Sequence, residues 1–295
     1  MRTALALNPG ARQGDLLPDE IIQRLGQQGV TADLLSVPNG DLAAAVQKAI
    51  TAGYDVIIAG GGDGTLSIIA HQLAATPIKL GILPLGTAND FARSLSIPHD
   101  LDQACAVIAA GHTVRVDVGV VNGRRFLNVA SIGLPAKVSA AITPQLKKRL
   151  GVLAYPVAAV QALTRQRPFG AKLTVDGRVR RLRWVMQLAV GSGRHYGGGM
   201  TLTDIAQPTD GHLHVHVITA RNLGALLWTL RHLRSGRYAP DHNALRFSAH
   251  HVRVETRRRH RVNADGELVG HTPLDVTVLP HALEVFAPLP LGAGI

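Results

Sequence analysis

The run Gly60-Gly61-Gly62-Asp63-Gly64-Thr65 constrains this chain more than any other stretch. Val56, Ile57, Ile58 and Ala59 before it predict a buried strand, and Leu66, Ser67, Ile68, Ile69 and Ala70 after it predict the start of a helix. A strand therefore ends, the backbone loses its Cβ atoms, and a helix begins. Glycine lets the chain take φ > 0 and lets phosphate oxygens approach backbone N–H groups closely. A helix N-terminus adds donors and partial positive charge. Asp63 sits among these groups, placed to orient a metal or a hydroxyl. The loop reads as a nucleotide-phosphate site, although a lone glycine cluster reads equally well as a tight turn.

A second loop of the same kind decides between the two. Residues 80–83 form a short apolar strand, and Leu85-Gly86-Thr87-Ala88-Asn89-Asp90 leads into a predicted helix at 88–95, with Thr87 as its cap. Two such turns in succession place two sets of donors at one edge of a parallel sheet. That edge is where open α/β sheets bind ligands.

The pattern around these loops alternates. Predicted strands at 3–7, 32–37, 55–59 and 80–83 interleave with helices at 18–25, 41–52, 65–75, 88–95 and 101–110. This βα rhythm implies a doubly wound parallel sheet with helices on both faces. After Gly111 the pattern changes. Residues 114–121 alternate as a strand, Asn122-Gly123 signals a hairpin, and 126–130 read as the returning strand. Further strands are expected at 172–175, 184–190, 212–219, 246–255, 274–279 and 283–286. The second part is therefore mainly antiparallel β, a sandwich. We divide the chain at residues 1–118 and 119–295.

At this point the chain resembles the diacylglycerol kinase catalytic superfamily, and most of all its soluble bacterial lipid kinases. Asn8-Pro9-Gly10 resembles the family's first nucleotide loop, Gly61 to Thr65 its GGDGT motif, and Pro84 to Arg93 its PxGTxNDFAR motif. Residues 191–200 (GSGRHYGGGM) and Asp210-Gly211 resemble motifs of its second domain, and Asp265-Gly266-Glu267 its late DGE motif. The resemblance keeps the family's order from Asn8 to about Pro288. It implies an active site in the cleft between the two domains and a last strand that returns to the first.

The resemblance also implies chemistry. Phosphoryl transfer needs in-line positioning, neutralised phosphate charge and an acceptor for the attacking hydroxyl's proton. ATP and Mg²⁺ are the implied cofactors. The implied donor site comprises Asn8, Ser36, Gly61, Gly62, Asp63, Gly64, Thr65, Leu66, Ser67, Ile68, Gly86, Thr87, Asn89 and Asp90. Glu267 takes the position of the family's general base, with Asp63 as the competing candidate. Asp210, with the backbone of Gln207 and His212, matches a second-domain Mg²⁺ position, and hard oxygen ligands suit that ion. The chain departs from the family at Ser67 and Ile68, where Asn and Glu are usual, and at Ser192, where Asn is usual.

Composition bounds the partners. The 295 residues are 46% hydrophobic and 17% charged, which is globular. The lone Cys105 excludes an internal disulfide and a Cys-rich metal site, and fits a reducing cytoplasm. The apolar run at the N-terminus is too short for a secretory signal. The longest apolar stretch, 151–163, is interrupted by Pro156 and Gln161 and falls short of the ~20 residues of a membrane span. A lipid substrate would be met from outside the bilayer. The formal charge of +11 favours anionic partners, namely nucleotide, anionic headgroups or nucleic acid. An aromatic content of 4% argues against nucleic acid, whose readers display stacking platforms.

Residues 145–166 and 222–237 read as helices, apolar on one side and basic on the other, suited to packing on a sheet or lying on a membrane. His212, His214 and His216 alternate on one strand face, which reads as a solvated or edge ladder, opposite the core-like Leu213, Val215 and Val217. Arg257-Arg258-Arg259 reads as a solvated loop. The leading expectation is an ATP- and Mg²⁺-dependent kinase of a glycerolipid hydroxyl, cytoplasmic, touching anionic membranes peripherally, with homodimerisation left open. The alternatives are an NAD kinase, which shares a GGDGT loop, and a non-catalytic basic binding module.

Overall fold

A computed structural model describes residues 1–8, 17–133, 167–193, 195–196, 200–201, 206–220 and 244–289. The predicted helices at 145–166 and 222–237, Pro9-Gly10 of the first loop and part of the 191–200 motif lie outside the described residues.

Strands and helices alternate first: β1 (Thr3–Leu7), α1 (Pro18–Gln27), β2 (Asp33–Leu34), α2 (Leu42–Thr51), β3 (Val56–Gly61), α3 (Asp63–Leu73), β4 (Lys79–Pro84), α4 (Asp90–Ser94) and α5 (Leu101–Ala109). The strands pair in parallel in the order β2-β1-β3-β4. Every residue of β3 is buried, as a strand covered on both faces must be. Helix α1 packs with α5, and α2 with α3. Asp41 caps α2 by accepting from Ala44 N at 3.0 Å, and Asp100 caps α5 by accepting from Gln103 N at 2.9 Å. Cys105 lies wholly buried in α5, and burial pushes its thiol up to about 11, which leaves it an inert packing residue.

Strands follow: β5 (Thr113–Val121), β6 (Arg124–Phe126), β7 (Val129–Gly133), β8 (Phe169–Val175), β9 (Arg178–Gly191), β10 (His195–Tyr196), β11 (Met200–Thr201), β12 (Leu213–Thr219), β13 (Ala244–Ala249), β14 (His251–Thr256), β15 (Arg261–Ala264), β16 (Glu267–His271) and β17 (Leu274–Phe286). Their mutual pairings are antiparallel. The expected classes, parallel α/β and then antiparallel β, are both present. They are joined by one ladder, β16-β15-β7-β9-β8-β14-β17-β4-β3-β1-β2, because β17 pairs in parallel with β4 through Val285 and Leu80. One core gathers Leu5, Ile57, Leu66 and Phe91, and a second gathers Phe126, Leu188, Val215 and Val262. Strand β9 pairs with β8 in its first half and with β7 and β12 in its second. It turns between them at Trp184, whose φ is 60°. Strands that change layers bend in this way.

Several details differ from the sequence reading, each for a physical reason. The Asn122-Gly123 hairpin returns over Arg124–Phe126 only, and the chain then leaves it because Leu127, Asn128 and Val129 turn their N–H groups to Asp265. The strand expected over 246–255 breaks at His250, where His250 N and His251 N donate to Asp176. Conversely, 274–279 and 283–286 are one strand with a bulge, in which His281 (φ 51°) gives its N–H to buried Asp117. The β15–β16 hairpin around Asp265-Gly266 was not foreseen as strands. His214 and His216, expected in solvent, are only 3% and 1% exposed.

Candidate active site

Four segments leave the carboxyl ends of the parallel strands side by side: Asn8 after β1, Ser36 beyond β2, Gly62 after β3 and Leu85-Gly86-Thr87 after β4. Asn8 N donates to Gly60 O at 3.2 Å and Asn8 Nδ2 to Thr65 Oγ1 at 2.9 Å, which ties the first loop to the second. Leu35 N donates to Leu5 O, so exposed Ser36 sits next to the end of β1. The two glycine loops touch. A Cβ on Gly62 would lie 3.1 Å from Gly86 Cα, and a Cβ on Gly86 would collide with Gly62 Cα. Only glycine fits this approach.

One buried amide shapes the second loop. Asn89 Oδ1 accepts from Gly86 N at 3.0 Å, while its Nδ2 donates to Pro84 O at 3.1 Å and Gly86 O at 2.9 Å. Its own backbone takes φ 49°, which asparagine tolerates. The helix begins at Asp90 after Asn89, and its cap is not Thr87, which stays exposed two residues before Asn89. Asp63 supplies the cap from the start of α3. Its Oδ2 accepts from Asp90 N and its Oδ1 from Phe91 N, both at 3.1 Å. A carboxylate also suits the positive end of a helix. Helix α3 starts at Asp63 itself, so the N–H groups of its first turn, around Gly64 and Thr65, have no partners within the helix. Leu66 is fully buried and Ile68 packs against the same core, while Ser67 is half-buried. Any contact of Leu66 with a ligand is therefore through its backbone.

The β-rich half meets this edge at Asn128. The Asp265 carboxylate accepts from Leu127 N at 2.7 Å, Asn128 N at 2.9 Å and Val129 N at 3.0 Å. Asn128 Nδ2 donates in turn to Asp63 Oδ1 at 3.4 Å. Ser192 Oγ donates to Leu127 O at 2.8 Å and holds the same segment from β9's end. Burial pushes the Asp265 carboxyl above the usual carboxylate range. The three N–H donors oppose that rise, and the negative charge of Asp63 adds to it. Asn263 Oδ1 accepts from Gly266 N at 3.0 Å and stiffens the turn. Glu267 opens β16 two residues after Asp265, exposed, with its backbone opposite Ala264.

Asn128 was not foreseen, since an Asn among apolar residues carries no local signal. Asp265 was seen only as part of a turn motif. The structure shows it to be the anchor that fixes the turn bearing Glu267 against the glycine edge.

Gln207, Asp210 and His212 do come together, in a separate turn. Asp210 Oδ2 accepts from Gln207 N at 3.1 Å, Asp210 Oδ1 from His212 N at 2.9 Å, and His214 Nε2 lies 2.8 Å from Asp210 Oδ2. Fully buried Asp117 secures this turn, accepting from Gly211 N at 2.6 Å while its own N–H donates to Pro208 O at 2.7 Å.

Paired glycine turns on a parallel sheet edge, capped by a carboxylate and closed by a β-rich half, define a two-part kinase architecture. Comparison with known proteins gives the class its family. Residues 3–121 match the diacylglycerol kinase catalytic domain, and 128–287 match the YegS C-terminal NAD kinase beta sandwich-like domain. Diacylglycerol kinases of Staphylococcus aureus, strains bovine RF122 / ET3-1 and Newman among them, are 30% identical over 274 residues, covering 92% of this chain and 87% of theirs. A crystal structure from Bacillus anthracis str. Sterne, described provisionally as a diacylglycerol kinase, superposes with a TM-score of 0.82. It is 28% identical, and the match covers 97% of this chain and 95% of that one. Yeast NADH kinase shares the fold alone, at 12% identity, 98% and 84% coverage and a TM-score of 0.54. The chain belongs to the diacylglycerol kinase family and is a lipid kinase.

Proposed function

We propose that this kinase moves the γ-phosphate of ATP, with Mg²⁺, to a free hydroxyl of a glycerolipid of diacylglycerol or phosphatidylglycerol type. The observation that carries the reading is the Asp63–Asn128–Asp265 chain of contacts, which brings the glycine edge and the Glu267 turn to one place. The N–H groups around Gly62, Gly64 and Thr65 bind phosphate oxygens, and Asn89 holds Gly86 alongside. Asp265 fixes the turn, and Glu267 accepts the proton of the attacking hydroxyl on a carboxylate oxygen.

The residues fit a hard cation. Asn128 Oδ1 is buried without a hydrogen-bond partner beside Asp63, and both offer oxygen to Mg²⁺. Asp63 and Asn128 would hold the ion, which when bound neutralises phosphate charge. Asp210, with the carbonyl groups of Gln207 and His212, is the proposed place of a structural Mg²⁺. We divide the work at about residue 118, with donor binding before it and acceptor binding after it.

Among the described residues no helix is long and apolar enough to cross a membrane. Arg178, Arg180, Arg181 and Arg183 are exposed on β9 beside exposed Val179 and Trp184. That surface, with the net charge of +11, supports peripheral contact with an anionic membrane from the cytoplasm. The phosphorylated product would feed phospholipid synthesis.

The test is direct. Purified protein with γ-labelled ATP and Mg²⁺ receives either a total bacterial lipid extract or NAD. A labelled glycerolipid is expected. Label in NAD, or none in lipid, would refute the assignment.

A further inference from the structure

Helix α3 carries Asp63 and the proposed phosphate-binding N–H groups at its first turn. Its other end is held as well. The last carbonyls of a helix have no partner within it. Ala75 N, which would close the next helical bond onto His71 O, turns away at φ 64° and donates to Ala282 O at 2.7 Å. Half-buried Arg125 on β6 takes its place, donating from Nη1 to His71 O at 2.7 Å. A cation suits this end of a helix, where the dipole is negative.

The same short segment reaches the first turn. Asn128 Nδ2 donates to Asp63 Oδ1. From residue 63 to residue 71 the helix rises about 12 Å. From residue 125 to residue 128 an extended chain spans up to about 10 Å, and the long Arg125 side chain covers the remainder. The segment 125–128 therefore runs antiparallel to α3 and grips it at both ends. Between the two grips it lies on the seam of the molecule, with Phe126 in the second core and Leu127 in the first. A Cβ on Gly119 would collide with the Phe126 ring, so β6 sits tightly on β5. The parallel sheet itself meets β17 through a single register pair, Val285 with Leu80. A join that narrow acts as a hinge, and its angle is set by what packs beside it.

We propose that Arg125 is a positioning residue for phosphoryl transfer: by holding the far end of α3 it sets the angle at which the phosphate-binding turn meets the turn bearing Glu267. The proposal rests on the lipid-kinase reading above. The Asn128 contact alone, at 3.4 Å, leaves α3 a pivot, whereas two grips fix an orientation. Transfer between two bound groups is sensitive to small misplacements, even those that begin far from the reacting atoms. Exposed Arg124 beside it supplies the comparison, since it acts on the His71 imidazole through charge alone.

Single-turnover transfer from labelled ATP, with Mg²⁺, to mixed vesicles of diacylglycerol and phosphatidylglycerol tests this. The wild type, Arg125→Met, Arg125→Lys and Arg124→Met are compared, alongside calorimetric ATP binding and Tm. Arg125→Met keeps the aliphatic stem and removes the hydrogen bond. At saturating ATP and lipid it should transfer about tenfold more slowly, with ATP affinity and half-saturating lipid within about twofold of wild type. Arg125→Lys, whose ammonium still donates to a carbonyl, should recover most of the rate, and Arg124→Met should match the wild type. An undiminished rate in Arg125→Met overturns the proposal, and with a lowered Tm it would show a merely structural contact. An equal loss in Arg124→Met overturns it too, since surface charge would then be the cause. So does a loss that lies in ATP affinity, or one that Arg125→Lys does not relieve. ATP binding by the wild type without any labelled lipid would instead overturn the lipid-kinase reading itself, and the proposal with it.

Discussion

The parallel edge and the antiparallel face are built in opposite ways. At the edge, glycines strip away side chains so that backbone N–H groups face outward, and Asp63 and Asn89 serve to hold that backbone in place. On the face, the backbone is consumed by the ladder, and side chains such as Ser131 and His216 carry the unpaired polar atoms. Backbone sites suit phosphate, whose oxygens look alike. The two strategies meet at Asn128, whose backbone serves Asp265 and whose amide serves Asp63.

If the edge depends on Asp63 as described, Asp63→Ala should act hardest. It removes the cap of α4 and an oxygen proposed for Mg²⁺, and lipid phosphorylation should fall by about 10³-fold in a radiolabel assay. Asp265→Ala tests the junction. It leaves three N–H groups without their acceptor, and urea unfolding should show a loss of about 4 kcal/mol.

The face should reveal itself through pH. His216 titrates at about 4 when folded, against an ordinary value of 6.5. The unfolded chain therefore binds the extra proton first. Its contribution to stability is complete above pH 6.5 and is lost as pH falls from 6.5 toward 4, by about 3 kcal/mol in all. Among the described residues Arg246 is the charged group that lowers it, while β9 faces it with Ala189. In His216→Leu the difference in unfolding free energy between pH 7 and pH 4 should shrink by that amount. The smallest effect is expected at the glycine contact. Gly86→Ala forces the two loops apart and should raise KM for ATP by about tenfold, with the acceptor's KM little altered.

The edge was largely legible in the sequence, and the face was not. Apolar runs ending in glycine announce β3 and β4 because a parallel strand and its turn are local in the chain. The capping of α4 was misplaced on Thr87 because the true cap, Asp63, is distant in sequence and near only in space. Asn128 gave no signal for the same reason. The histidine alternation on β12 was visible, but its burial depends on what packs above the strand, which spacing alone does not encode. Motif resemblance supplied Glu267, and the contacts of Asp265 supply a physical reason for its position.

The central claim is that the glycine edge delivers a phosphoryl group to a hydroxyl readied by Glu267. Single-turnover transfer from labelled ATP to lipid vesicles, measured for the wild type and Glu267→Gln, tests it most directly. The account predicts equal ATP affinity and a transfer rate at least 100-fold lower in the variant, in keeping with the loss of a general base. An undiminished rate in a variant that binds ATP normally would contradict it.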